Sequence, residues 1–148
     1  MDYRIIRIDE KNYPFFDDMI FWRETGQERV PAHAPVPQAV GQELQNPNLF
    51  VYALETEGRY VGWISLVYIP KVGKWKGRGH VYVDELWVAP EYRGRGYARA
   101  LMQKADELKD ALQAAGIRLY VNTQNETAHA LYSRCGCRED GTAHFMEK

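Results

Sequence analysis

VYVDELWVAPEYRGRGYARALM, residues 81 to 102, decides how this chain folds. The β-branched and aromatic run from His80 to about Ala89 reads as a strand, and Pro90 stops it. A tight glycine-bearing loop follows, Arg93-Gly94-Arg95-Gly96-Tyr97-Ala98. A long helix is then expected from Gly96 to Ala115, with Gly116 as its stop. Its apolar positions Ala98, Leu101, Ala105, Leu108, Leu112 and Ala115 recur every three or four residues. Strand, glycine loop and helix in this order suit a pyrophosphate. Glycines let the backbone come close, and the unpaired amides and dipole of the helix start favour an anion.

Two other phosphate loops are excluded. A P-loop ends in Gly-Lys-Ser or Gly-Lys-Thr, which is absent here. A dinucleotide loop needs a third glycine, but Arg99 occupies that position and would spoil close helix packing. What remains is R-x-x-G-x-A.

Working outward, Tyr3 to Ile8 is β-rich. A helix begins at Asn12, with Pro14 in its first turn and Gly26 at its end. VPAHAPVP is too proline-rich for a helix, and a short helix follows from Gln38 to Gln45. Leu49–Thr56 and Arg59–Ile69 are strands joined by a Glu57-Gly58 turn. Pro70 to Gly79 is a loop with Lys71, Lys74, Lys76 and Arg78, a charge run most simply read as solvated. Beyond the long helix lie a strand, Ile117 to Thr123, and a helix, Asn125 to Arg134. The tail from Cys137 to Glu147 predicts one or two final strands. The order β-α-α-β-β-β-α-β-α-β, with the last strand open to splitting, describes an α/β (α+β) fold with a mixed sheet and helices on both faces.

The 148 residues suit one domain, 1–148, and the composition of 45% hydrophobic and 26% charged residues is that of a folded chain. A formal net charge of -1 argues against a nucleic-acid binder, though not against a local basic patch. No apolar run approaches the roughly 20 residues needed to span a bilayer. The start MDYRIIRIDE lacks a leader pattern, so a cytoplasmic location is expected. Cys135 and Cys137 are too close for a stapling disulfide, and no zinc spacing surrounds them. No metal is expected.

The R-x-x-G-x-A loop between strand and helix resembles the acetyl-CoA-binding loop of the GNAT superfamily of N-acetyltransferases. YVGWISL resembles that family's third strand. DELWVAPEYRGRGYA resembles its core motif, and NTQNETAHALYSRCGC its later Asn-x-x-Ala-x-x-x-Tyr helix. The family usually has Gly-Phe where Gly136-Cys137 stands. The first 45 residues match only in the order of elements.

The resemblance implies acetyl-CoA as co-substrate and direct acetyl transfer to an amine of a small molecule or peptide. It places the pyrophosphate on the backbone of Arg93, Gly94, Arg95, Gly96, Tyr97 and Ala98. It pairs the pantetheine arm with Leu86, Trp87 and Val88, with the Leu86 amide as oxyanion donor. Asp84 is the first candidate for proton acceptor and Glu85 the second, with His80 and Tyr82 behind them. Glu85 points away unless a bulge re-aims it. Both acids could instead form an edge ion pair. Tyr132 is the candidate proton donor to the leaving thiolate, or else a packing aromatic. Asn125 is a pantetheine ligand, a helix N-cap, or both.

The acceptor side offers Trp22, Arg23, Glu24, His33, Trp63 and Tyr68, equally suited to an ordinary core. A non-catalytic acyl-CoA-sensing module is the competing reading. The final strands provide an edge through which a homodimer could form.

Overall fold

The computed structural model describes residues 2–148. Five strands form one sheet in the order β1 (Tyr3–Arg7), β2 (Leu49–Thr56), β3 (Arg59–Ile69), β4 (His80–Val88) and β5 (Gly116–Leu119). The first four are antiparallel neighbours, and β4 and β5 are parallel. Between them run α1 (Tyr13–Thr25), α2 (Val40–Glu43) and α3 (Tyr97–Ala111), with α4 (Glu126–Arg134) after β5. This is the mixed α/β sheet expected.

Local chemistry explains the boundaries that match. Glu57 and Gly58, at φ 54° and 73°, make the two-residue turn that joins β2 to β3. Gly26, at φ 78°, caps α1 by donating to the Trp22 carbonyl.

Helices cover both faces. Leu101, Met102, Ala105 and Leu108 of α3 pack with Val61, Ile64, Leu66, Val81 and Val83 of the sheet. On the other face, Phe16, Met19 and Ile20 of α1 meet Ala53 and Trp63. Gly62 allows α3 to lie close: a Cβ there would meet the Trp87 carbonyl oxygen at 2.9 Å and Leu101 Cδ1 at 3.5 Å.

Four expectations need correction. The second helix is only Val40–Glu43, because Pro37 and Asn46 lie in turns on either side. α3 stops at Ala111 and not Ala115. Gln113 turns left-handed at φ 52°, and the Ala115 amide already donates to the Gly79 carbonyl. Gly116 therefore opens β5 instead of ending the helix. β5 ends at Leu119 and not Thr123, because its partner β4 diverges after Val83.

The tail beyond Cys137 forms no strand among the described residues. Arg138-Glu139-Asp140-Gly141 is a poor strand sequence, and Phe145 and Met146 find no burying surface, at 87% and 85% exposure. The final strands that could join two copies are thus absent there. Among the described residues no helix is long and apolar enough to cross a membrane.

Candidate functional site

The site begins at an irregularity in β4. Leu66 pairs with Val83 and Ser65 with Glu85, so Asp84 is an extra residue. That β-bulge has two effects. It puts Asp84 and Glu85 on one face, opposite α3, where simple alternation would have separated them. It also swings β4 away from β5, since pairing ends at Val83 with Leu119. The outer edge of β4 beyond the bulge is therefore open.

Backbone direction along that edge follows from alternation. The Ala89 amide donates to the Val61 carbonyl on β3 at 2.8 Å, and the Trp87 carbonyl also faces β3, against Gly62. The Leu86 and Val88 amides consequently face the opening. Trp87 is the exception to its expected role. Its backbone is spent on β3, and its indole packs against Trp22 and Trp63 at 5.5 and 5.2 Å. The Val88 carbonyl accepts from Arg93 Nε at 2.8 Å, which places that guanidinium at the end of the edge.

The glycine loop follows at once. Gly94 and Gly96 take φ 79° and 84°, conformations that glycine adopts without strain. Gly96 is the N-cap of α3 and provides no side-chain cap. From Gly94 to Arg99 no backbone amide donates a hydrogen bond within the described residues; the first to do so is Ala100, to the Gly96 carbonyl. A helix start with this many free donors is a ready anion site. Arg95 is held back by its own loop, donating to the Glu91 carbonyl at 3.2 Å and lying 4.9 Å from the Tyr92 ring. It lines a polar cleft of about 570 Å³ with Glu28, Glu57, Arg59 and Glu91.

The two acids differ in partners. Glu85 meets Arg23 of α1 at 2.7 Å and accepts from Ser65 Oγ at 3.3 Å. Asp84 forms no ion pair among the described residues. Asp84 is itself exposed, yet partial desolvation beside the bulge, and then the charge of Glu85, raise its pKa above the ordinary carboxylate value. Burial, and then Asp84, raise that of Tyr82 on the same face.

Tyr132 of α4 packs beside the α3-side core with Cys135 and Cys137. Burial, with smaller contributions from those cysteines, raises its pKa, so its hydroxyl keeps its proton at neutral pH. Burial likewise raises both thiols, which leaves them weak nucleophiles. Asn125 caps α4, its Oδ1 accepting from the Ala128 amide at 3.0 Å, and its amide nitrogen is not used in that bond.

The residues read from sequence as acceptor lining divide. Trp22 and Trp63 are core, at 8% and 0% exposure. The Tyr68 hydroxyl accepts from the Gly79 amide, and His33 is tied to Asp18 at 2.7 Å. Arg23 alone among them reaches the β4 acids. Tyr120 escaped sequence reading. Its exposed ring sits 6.1 Å from Tyr82 across the β4–β5 opening. Only the parallel register of β4 and β5 reveals that proximity.

A family model described as the acetyltransferase (GNAT) family matches residues 10–137. Thialysine N-epsilon-acetyltransferase from Bos taurus is 32% identical over 85 residues, covering 57% of this chain and 49% of that protein. This chain spans about half the length of the curated relatives it matches. An aminoglycoside acetyltransferase from an uncultured soil metagenomic sample has a similar fold, with a TM-score of 0.77 and 24% identity over 100% of this chain and 99% of that one. An aminoglycoside N-acetyltransferase solved in complex with CoA gives a TM-score of 0.78 and 17% identity, covering 99% of this chain and 95% of that one.

Proposed function

The chain belongs to the acetyltransferase (GNAT) family, and from that premise we propose that it moves an acetyl group from acetyl-CoA to a primary amine of a small molecule or peptide. The observation that carries this reading is the run of amides from Gly94 to Arg99, unpartnered among the described residues, beside the open edge of β4. The amides receive the diphosphate. The edge receives the pantetheine arm as a short extra strand, through Leu86 and Val88. The acceptor class agrees with the bovine relative, a thialysine N-epsilon-acetyltransferase.

The reaction is direct attack through a tetrahedral intermediate. An alkyl amine, with a pKa near ~10.4, arrives protonated. Asp84 attracts the ammonium and takes its proton, directly or through water, and its raised pKa makes it a better acceptor than an ordinary carboxylate. The freed nitrogen attacks the thioester carbon. The Leu86 amide donates to the oxygen that becomes negative, a contribution of about 3 kcal/mol for a well-placed donor. As the C–S bond breaks, Tyr132 gives its proton to the departing thiolate, and the nitrogen's surplus proton leaves to water, from which Tyr132 is reprotonated. Asn125 holds the pantetheine through its amide nitrogen. Glu85, neutralised by Arg23, steadies the wall beside Asp84.

Calorimetry with acetyl-CoA, followed by thiol release over a panel of amines, tests this. Coenzyme A released only when an amine is present supports it. Tight binding without amine-dependent release points to an acyl-CoA-sensing module. No binding removes the premise of the loop.

A further inference from the structure

The loop between β3 and β4 has no part in acetyl transfer as described above. It carries Lys71, Lys74, Lys76 and Arg78 without an acid, and the next acid in the chain is Asp84. Neither these four nor Arg118 of β5 forms an ion pair within the described residues. Two of them flank one exposed ring. The Arg118 guanidinium lies 5.4 Å and the Lys74 ammonium 5.9 Å from the centre of Trp75. Val72 beside them is fully exposed, at 100%.

Beneath Trp75 lies His80, with ring centres 4.7 Å apart. His80 is 7% exposed, and its Nδ1 has no hydrogen-bond partner among the described residues. Burial depresses its proton affinity, and the charges of Arg118 and Lys71 lower it further.

This patch is continuous with the acceptor side of the site. Val81 and Val83 face α3, so His80, Tyr82 and Asp84 lie on the opposite face by alternation. One strip therefore runs from the cations, across the Tyr82–Tyr120 pair, to the unpaired Asp84 carboxylate. From His80 to Asp84 it measures roughly 13 Å at about 3.3 Å per residue.

We propose that the acceptor is the amino end of an acidic peptide. Its terminal amine meets Asp84, and acidic side chains from about the third or fourth residue onward reach the 71–78 loop and Arg118. An extended chain rising about 3.3 Å per residue covers the strip in that number of residues. A nucleic acid fits less well, because its phosphates would have to pass Asp84 and Glu85. A peptide presents positive and negative charge in the order the strip demands. The inference rests on the acetyl-transfer reading, with Asp84 beside the reacting amine.

Three hexapeptides with free amino ends and amidated carboxyl ends separate the outcomes: Ala-Ala-Ala-Glu-Glu-Glu and its Gln and Lys counterparts. Binding is read by anisotropy of a label on the carboxyl end, with coenzyme A present, and turnover by thiol release. The Glu peptide is expected to bind about tenfold tighter than the Gln peptide through several exposed pairs, each a fraction of a kcal/mol. Added salt should erase the advantage. Combined Lys74→Gln and Lys76→Gln should also erase it, raising KM for the peptide with acetyl-CoA affinity unchanged. Equal binding of the three peptides would overturn the proposal. So would tighter binding of a single-stranded DNA oligomer, or a turnover preference for Gln or Lys. Charge-selective peptide binding without thiol release, while the amine panel does release thiol, would overturn the peptide as acceptor; no release from either strikes the acetyl-transfer reading instead.

Discussion

The Arg23 guanidinium of α1 lies 2.7 Å from the Glu85 carboxylate of β4 and 4.8 Å from the centre of the Trp63 ring. That contact divides the labour of two adjacent acids. Glu85 is neutralised by a cation held over an aromatic face. Asp84, one residue earlier on the same face and exposed, carries a charge that partial desolvation and Glu85 both disfavour.

Asp84→Asn is expected to lower kcat/KM by about 100-fold or more, the usual scale for losing a positioned base. The wild-type rate should fall as pH drops through the raised Asp84 pKa, and the variant should lack that limb. Stability should move the other way. Because the folded pKa lies above the unfolded one, Asp84 favours the fold while protonated, and that contribution disappears as pH rises through the folded value. The variant should therefore melt higher than wild type at neutral pH. Unchanged turnover with a higher Tm would leave Asp84 a mere surface acid.

Arg23→Gln removes the cation that neutralises Glu85. Glu85 then repels the Asp84 charge more strongly, so the acidic limb of the pH–rate profile should move to higher pH. The half-exposed pair itself contributes only about 0–1 kcal/mol, so the fold survives. A limb that stays in place would assign the proton acceptor elsewhere.

Gly96→Asp and Gly96→Asn separate backbone from charge. A Cβ at Gly96 has open space around it, but φ is 84°, a conformation that costs an ordinary L residue about 1–2 kcal/mol. Asn tolerates this better than most residues. Asp adds a negative charge at the helix start, so calorimetry should show acetyl-CoA affinity falling far more for Asp than for Asn. Equal affinities for wild type and Asp would contradict the placing of the diphosphate on these amides.

Tyr132→Phe deletes a hydroxyl that makes no side-chain hydrogen bond among the described residues. Stability should change by less than about 0.5 kcal/mol, while kcat falls with KM for acetyl-CoA nearly unchanged. Full activity across pH would reduce Tyr132 to packing.

β2 and β3 can be read from the sequence to the residue, because strand composition and a Glu57-Gly58 turn are local signals. The start of α3 at Gly96 and the capping of α4 by Asn125 are legible for the same reason. The end of β5 is not legible. It depends on where β4 parts from it, and nothing in residues 117–123 encodes that.

The sequence by itself determined the element order as far as the last helix, the glycine loop ahead of the longest helix and the family resemblance, since spacing and turn chemistry act over a few residues. Only the tertiary structure decided which groups meet. The bulge at Asp84 arises from a register mismatch against Ser65 and Leu66. The Arg23–Glu85 pair joins residues 62 apart in the chain, and Tyr82 reaches Tyr120 through a parallel pairing. Cross-strand register is set by the packing of the whole sheet, so contacts that depend on it exist only once distant segments have docked.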